Sequence, residues 1–143
     1  MPRIERSATV VWEGNVARGG GHITAHTGAF TNLPYSLPTR IAAKAEKTSP
    51  EELLASAHAA CLTMGIATEL TEAGTPPVHL ELTCRIVMDE VEGQGHQIVA
   101  SHVTIGGADD VPDDLLERAD AGCPFSTLLK NAGVEITITR AEP

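Results

Sequence analysis

Aromatic side chains are scarce in this chain of 143 residues: phenylalanine, tyrosine and tryptophan together make up 3%. Basic residues are also few, with ten Lys and Arg against nineteen Asp and Glu, which gives a formal net charge of −9. Because binding to nucleic-acid phosphates depends on clustered Lys and Arg, the composition argues against a nucleic-acid partner. The core must be built from aliphatic side chains, and a partner subunit could complete it.

Cysteine is limited to three residues without a CxxC pair, so no disulfide framework of a secreted module is predicted. Residues 1–14 lack the apolar segment of a secretory signal. No apolar run is expected to reach the roughly 18 residues of a membrane span. These features predict a cytoplasmic protein with a few specialised thiols, and no membrane partner.

Hydrophobic periodicity predicts one α+β domain over residues 1–143, with mostly antiparallel strand pairing. The element order is ββ(β)αββααβ. Strands are expected at 7–12 and 19–30, at an edge near 35–41, at 78–88 with its hairpin mate at 96–105, and at 134–138. Helices are expected from Ser49, over 112–121 and after Cys123.

The helix that follows Ser49 has the strongest start signal. Ser49 is the N-cap candidate, Pro50 occupies the first helical position, and Glu52 completes a capping box. Helical spacing predicts an apolar face made of Leu53, Leu54, Ala57, Ala60, Cys61, Met64 and Ala67. Many small residues on this helix would allow another backbone to approach closely.

The three cysteines differ in their sequence context. Cys84 lies on the apolar face of an alternating strand, which favours simple packing. Cys123 stands between Gly122 and Pro124, so it is predicted at a helix N-cap, where the helix dipole favours a thiolate; the alternative is a cysteine that merely caps a helix. Cys61 is in mid-helix, where its own helix dipole does little for it.

For Cys61 taken alone, core packing is slightly favoured, because the thiol needs an external cation to become a thiolate. The candidates are His58, one turn earlier, and Arg40, in the preceding loop. His58 could instead be a satisfied core or interface histidine. Two thiols far apart in sequence, one in a packed helix and one at a helix start, nevertheless fit a redox pair.

Five segments resemble the OsmC/Ohr family of osmotically inducible and organic-hydroperoxide-resistance proteins. They are WEG at 12–14, RG at 18–19, PYSLPTR at 34–40, TSPEELLASAHAACLTM at 48–64 and AGCPFSTLLK at 121–130. The resemblance covers nearly the whole chain in order, and the HAAC tetrapeptide favours the OsmC branch. Leu62 departs from the phenylalanine found in many relatives, which affects packing beside the thiol.

The resemblance implies a thiol peroxidase that uses no metal, haem or other cofactor. It places the peroxidatic cysteine at Cys61, the resolving cysteine at Cys123, and the supporting residues at Arg40 and Glu51, while Cys84 matches no functional position. The implied substrate is an organic hydroperoxide, with hydrogen peroxide as a further candidate. The implied reductant is a dithiol of the lipoyl type or a small thiol. The implied fold is an intertwined homodimer in which antiparallel sheets wrap long central helices.

Helix geometry makes a further prediction about this site. Glu51 and Cys61 are ten residues apart on one helix, which separates them by about 15 Å along the axis and roughly 80° around it. An arginine side chain is shorter than that gap. If the family roles hold, Arg40 and Glu51 at a given site come from the other subunit.

Two other functions are compatible with the same residues. A metal site could use His58, Cys61 and Cys123, although His22 and His26 would lie about 13 Å apart along a strand, too far for one ion. A non-catalytic ligand-binding or structural protein could keep only the fold. Loss of Cys61, Cys123 or Arg40 would have favoured that second alternative, and all three are present.

Overall fold

A computed structural model describes residues 2–142, which form two compact units that divide after Pro50. The elements in chain order are β1 (Ala8–Glu13), β2 (Gly20–Ala25), β3 (Leu33–Tyr35), α1 (Leu37–Ile41), α2 (Pro50–Glu72), β4 (Glu81–Val91), β5 (Gly95–Gly106), α3 (Asp113–Ala121), α4 (Pro124–Asn131) and β6 (Glu135–Arg140). The predicted α+β class is confirmed. A single domain over 1–143 stays a prediction.

The first unit contains a three-stranded antiparallel sheet in the order β1-β2-β3. Trp12 and Tyr35 meet edge to face across it, with ring centroids 5.7 Å apart. Gly21 lies beneath both rings, and a Cβ there would come within 2.5 Å of the Tyr35 ring. The glycine run therefore supplies the space that this aromatic pair needs.

The predicted edge strand near residues 35–41 is mostly wrong, because β3 ends at Tyr35 and the chain then turns into the short helix α1. Ser36 caps this helix: its Oγ accepts from the Thr39 N–H at 3.2 Å, and the Ser36 N–H donates to Thr39 Oγ1 at 3.1 Å. Pro38 falls within the first turn, where its fixed φ suits a helix. The local capping box overrode the extended pattern, and it places Arg40 in the last turn of α1.

The second unit contains the sheet β4-β5-β6. The predicted hairpin of β4 and β5 is confirmed as an antiparallel pair, with a bulge between Val87 and Met88. β4 begins at Glu81 rather than Val78, which is fully exposed. β6 pairs in parallel with β5, the one exception in this sheet to antiparallel pairing.

The helix α2 begins at Pro50 as predicted, but the apolar face predicted for it is wrong. The buried residues are His58, Leu62, Ile66 and Leu70, at a strict spacing of four. They pack into a core with aliphatic residues of β5 and α3. Leucine and isoleucine bury more apolar area than the alanines of the predicted face, so the stripe with Leu62, Ile66 and Leu70 faces the core. Met64, on the predicted face, is 73% exposed.

By length and composition, α2 could also cross a membrane, which was not expected from its sequence. Core helices of globular proteins meet the same criteria. The buried stripe of α2 packs on protein and includes a hydrogen-bonded histidine. Length and composition are therefore weak grounds for a membrane span here.

Candidate active site

Cys123 caps the helix α4, as predicted. Gly122 ends α3 by donating its N–H to the carbonyl of Arg118 at 2.9 Å, and Pro124 then begins α4. The Ser126 N–H donates to Cys123 Sγ at 3.5 Å. Cys123 is only 2% exposed. Its sulfur is thus held at the positive end of the α4 dipole, away from solvent.

Cys61 lies against the same helix start. Cys61 packs against the core cluster that contains Cys123, and both the Cys123 thiol and the backbone N–H of Phe125 lie near enough to affect its pKa. Both sulfurs therefore meet at the first turn of α4. The expectation that a helix dipole does little for Cys61 considered only its own helix, and it overlooked the start of a helix about sixty residues later.

Burial raises the pKa of the Cys61 thiol, and the neighbouring Cys123 thiol raises it further. The Phe125 N–H acts in the opposite direction, because it stabilises the thiolate. Ionising Cys61 near neutral pH therefore requires a stabilising positive charge, as the sequence analysis expected.

The two supporting residues fall in different units. Arg40 belongs to the first unit, where its N–H donates to the Ser36 carbonyl at 3.0 Å and its side chain lines a concave surface with Trp12 and Tyr35. Glu51 lies in the first turn of α2, in the second unit, ten residues before Cys61. The structure thus brings together Cys61 and Cys123, and the roles of Arg40 and Glu51 stay predictions.

His58 is completely buried, which confirms the core alternative for this residue. Its Nδ1 lies 2.7 Å from Ser101 Oγ on β5, and its Nε2 lies 2.7 Å from Ser126 Oγ on α4. Burial lowers the pKa of His58. Asp120 raises this pKa by a smaller amount, and Lys130 lowers it. Burial therefore favours the neutral form of the imidazole. Neither serine was identified from the sequence, because no local pattern marks them.

Cys84 is half-buried on β4 and packs against the core, as its strand position predicted. Its Sγ also lies 3.1 Å from Ser101 Oγ and 3.8 Å from His58 Nδ1. Burial raises the pKa of the Cys84 thiol, and the hydrogen bond with Ser101 partly offsets this. Its environment favours a protonated thiol rather than a nucleophile.

The alternative of a metal site is disfavoured by these contacts. Both ring nitrogens of His58 are engaged by serines. His26, one of the two further histidines considered, places Nε2 at 2.6 Å from Thr9 Oγ1. Within residues 2–142, no cluster of three or more His, Cys, Asp or Glu side chains has the arrangement of a metal site.

Comparison with known proteins gives consistent matches. A family model described as OsmC-like protein matches residues 43–139. Peroxiredoxin OsmC of Escherichia coli strain K12 is 36% identical over 141 residues, which cover 94% of this chain and 94% of that protein. Peroxiredoxin OsmC of Shigella flexneri matches to the same extent.

Two solved structures illustrate the likeness in fold. The organic hydroperoxide resistance protein OhrB of Bacillus subtilis has a TM-score of 0.73 at 23% identity, and the match covers 94% of this chain and 98% of that chain. An organic hydroperoxide resistance protein OsmC from Legionella pneumophila has a TM-score of 0.76 at 16% identity, with coverages of 98% and 100%. At these identities the likeness concerns the fold alone.

Proposed function

Because the chain belongs to the OsmC-like protein family, we propose that it is a cysteine-based peroxidase that reduces organic hydroperoxides to alcohols. The observation that carries the proposal is the meeting of Cys61 and Cys123 at the first turn of α4. A thiol pair held in this way is what a peroxidase of the attacking-and-resolving type requires. The name of the curated relative, Peroxiredoxin OsmC, supports the same activity.

In the first step, the thiolate of Cys61 attacks one oxygen of the hydroperoxide. A sulfur–oxygen bond forms, the oxygen–oxygen bond breaks, and the leaving alkoxide takes a proton to become the alcohol. Cys61 becomes a sulfenic acid. Because the resting Cys61 pKa is raised, this step depends on a cation that stabilises the thiolate.

Arg40 is the cation we assign to this step. A guanidinium is always charged, and its fork of donors can meet both the sulfur and the negative charge that develops on the peroxide oxygens. Glu51 orients the guanidinium as a bidentate carboxylate partner. These assignments rest on the motif positions of both residues and on the need for charge at Cys61.

In the second step, Cys123 resolves the sulfenic acid. The Cys123 sulfur attacks the Cys61 sulfur, the sulfur–oxygen bond breaks, and hydroxide leaves with the thiol proton as water. An external reductant, either a dithiol of the lipoyl type or a small thiol, then reduces the disulfide and restores both thiols. The packing of Cys61 against the core cluster that contains Cys123 supports this pairing, because a disulfide forms only between cysteines that are close in space.

A homodimer with two shared sites completes the proposal. The axial separation of about 15 Å between Glu51 and Cys61 is too long for one arginine to bridge within a straight helix. The site would then combine Cys61 and Cys123 of one chain with the partner subunit's Arg40 and the partner subunit's Glu51. The exposed face of α2, which includes Ala60 and Met64, supports a second copy at that position.

A cytoplasmic location also belongs to the proposal. Three cysteines without a CxxC pair do not form the disulfide framework of a secreted module, and a few specialised thiols are typical of a reducing compartment. The proposed cycle depends on a supply of reducing dithiol, which such a compartment provides.

The test is peroxide consumption with cumene, tert-butyl and hydrogen peroxide, each under a lipoyl or a small-thiol reductant. We expect organic hydroperoxides to be reduced fastest, Cys61→Ser to be inactive, and Cys84→Ser to resemble the wild type. Turnover by Cys61→Ser at the wild-type rate would refute the assignment. Loss of activity in Cys84→Ser, a serine that keeps a hydrogen-bonding group beside Ser101, would also contradict it.

The shared site has its own test, which is complementation between Cys61→Ser and Arg40→Ala under conditions that exchange subunits. A shared site predicts that mixed dimers regain one intact site, so up to half of the wild-type activity per dimer returns. If subunits exchange and no activity returns, each site is built within one chain.

A further inference from the structure

A chain of buried polar contacts connects four elements of the second unit. It runs from Cys84 Sγ on β4 to Ser101 Oγ on β5, then to the two ring nitrogens of His58 on α2, and ends at Ser126 Oγ on α4. His58, Ser101 and Ser126 are each 0% exposed. Fully satisfied polar chains of this kind hold neighbouring elements in one arrangement.

Two members of this chain, His58 and Ser126, lie close to the redox cysteines in the sequence. His58 precedes Cys61 by three residues, so the two lie on adjacent turns along the same side of α2. The Ser126 hydroxyl is hydrogen-bonded with His58 Nε2. The backbone N–H of Ser126 donates to Cys123 Sγ. The bond between His58 and Ser126 therefore ties the helix of the attacking cysteine to the first turn that holds the resolving cysteine.

We propose that His58 and Ser126 are positioning residues for the resolving step: their hydrogen bond keeps the Cys123 sulfur beside Cys61. The proposal rests on the proposed function and assigns its second step to a specific contact. Resolution competes with further oxidation of the sulfenic acid by a second peroxide. A loosened first turn of α4 would slow the attack of Cys123 and leave Cys61 open to sulfinic acid formation. The first attack on peroxide would change less, because it needs the Phe125 N–H of this turn only to help stabilise the thiolate and does not need the Cys123 sulfur.

Two substitutions of His58 separate its two ring nitrogens. The terminal amide of asparagine sits near the position of Nδ1, so His58→Asn keeps the contact with Ser101 and loses the contact with Ser126. The amide of glutamine extends to the position of Nε2, so His58→Gln keeps the contact with Ser126. Ser126→Ala removes the hydroxyl from the other side and leaves the N–H that faces Cys123. Leu62→Ala is the control, because it loosens the same helix in the core without touching Ser126.

The experiment follows the fate of Cys61 by mass spectrometry at rising concentrations of cumene hydroperoxide, together with the rate of the first attack. We expect His58→Asn and Ser126→Ala to form sulfinic acid at about tenfold lower peroxide than the wild type, since small misplacements of reacting groups cost one to two orders of magnitude in rate. The rate of the first attack should fall by a clearly smaller factor than this. In His58→Gln and Leu62→Ala, Cys61 should divide between disulfide and sulfinic acid as it does in the wild type.

Several results would overturn the proposal. One is that His58→Asn and Ser126→Ala form sulfinic acid at the same peroxide concentration as the wild type. Another is His58→Gln failing as badly as His58→Asn, which would make His58 a core residue without a directional role. A third is Leu62→Ala over-oxidising to the same extent, because general loosening would then explain the effect. If His58→Asn does not fold, Ser126→Ala decides the question alone.

A second measurement is independent of peroxide chemistry. Equilibrium of the protein thiols with dithiothreitol reports the effective concentration of Cys61 and Cys123 toward each other, and Ser126→Ala should lower it by about tenfold. If the wild type forms the disulfide between Cys61 and Cys123 in equilibrium with oxidised dithiothreitol but not with cumene hydroperoxide, the proposed function fails. In that case the positioning role can still be measured. An unchanged effective concentration in Ser126→Ala refutes the positioning role.

Discussion

Replacing His58 by glutamine should remove a pH-dependent part of the stability of this protein. The wild-type imidazole is completely buried between Ser101 and Ser126, and burial lowers its pKa below the usual 6.5. Asp120 partly offsets this effect, and Lys130 adds to it. Glutamine keeps a hydrogen-bonding group toward Ser126 but does not titrate.

The sign follows from proton binding in the two states. As the pH falls below about 6.5, His58 in the unfolded chain takes up a proton, whereas the folded protein keeps the ring neutral. The free energy of unfolding therefore decreases as the pH falls from about 6.5 to the pKa of His58 in the folded protein. Below that pKa, His58 causes no further decrease. A single group changes it by at most about 1.4 kcal/mol per pH unit.

The assay is urea unfolding at fixed protein concentration, at several values between about pH 7.5 and 5.5. We expect the free-energy difference between the wild type and His58→Gln to be constant above about pH 6.5. Below it, the difference should move against the wild type by up to about 1.4 kcal/mol per unit. His96→Gln, at an exposed position of β5, is the control for losing one imidazole. A difference that stays constant over the whole range would refute the idea that His58 is held neutral by burial.

The remaining predictions concern the reaction and the core. Cys123→Ser should complete one turnover and then stall or over-oxidise at Cys61, as measured by product per subunit; sustained turnover would mean that another thiol resolves. Arg40→Ala should slow the attack on peroxide by about 10²-fold and raise the Cys61 pKa further, and Arg40→Lys should recover only part of the rate. A Cys61 alkylation curve against pH that does not move in Arg40→Ala would exclude this role. Leu62→Ala should cost about 2–5 kcal/mol of unfolding free energy, because Leu62 is 0% exposed in the core, and an equal cost for an exposed alanine exchange such as Glu117→Ala would contradict the assignment of the core.

Local signals in the sequence determined several parts of this protein. Pro50 after Ser49 predicted the start of α2, and Gly122-Cys123-Pro124 predicted both the end of α3 and a cysteine at the cap of α4. The alternation before Met88 predicted β4 and its hairpin. These features depend on residues that are neighbours in the chain, and backbone capping, turn geometry and strand periodicity act at that range.

The tertiary structure alone decided which face of α2 is buried and what surrounds its cysteine. Periodicity places Met64 and Leu62 on different faces, but it does not say which one meets β5 and α3. The start of α4 lies against Cys61, and the side chains of Ser101 and Ser126 close on His58, across separations of 43 and 68 residues. A serine in a strand and one in a helix carry no local sign of such a partner. Their hydrogen bonds exist because packing buries both sides of one histidine, so its ring nitrogens must find their partners within the protein.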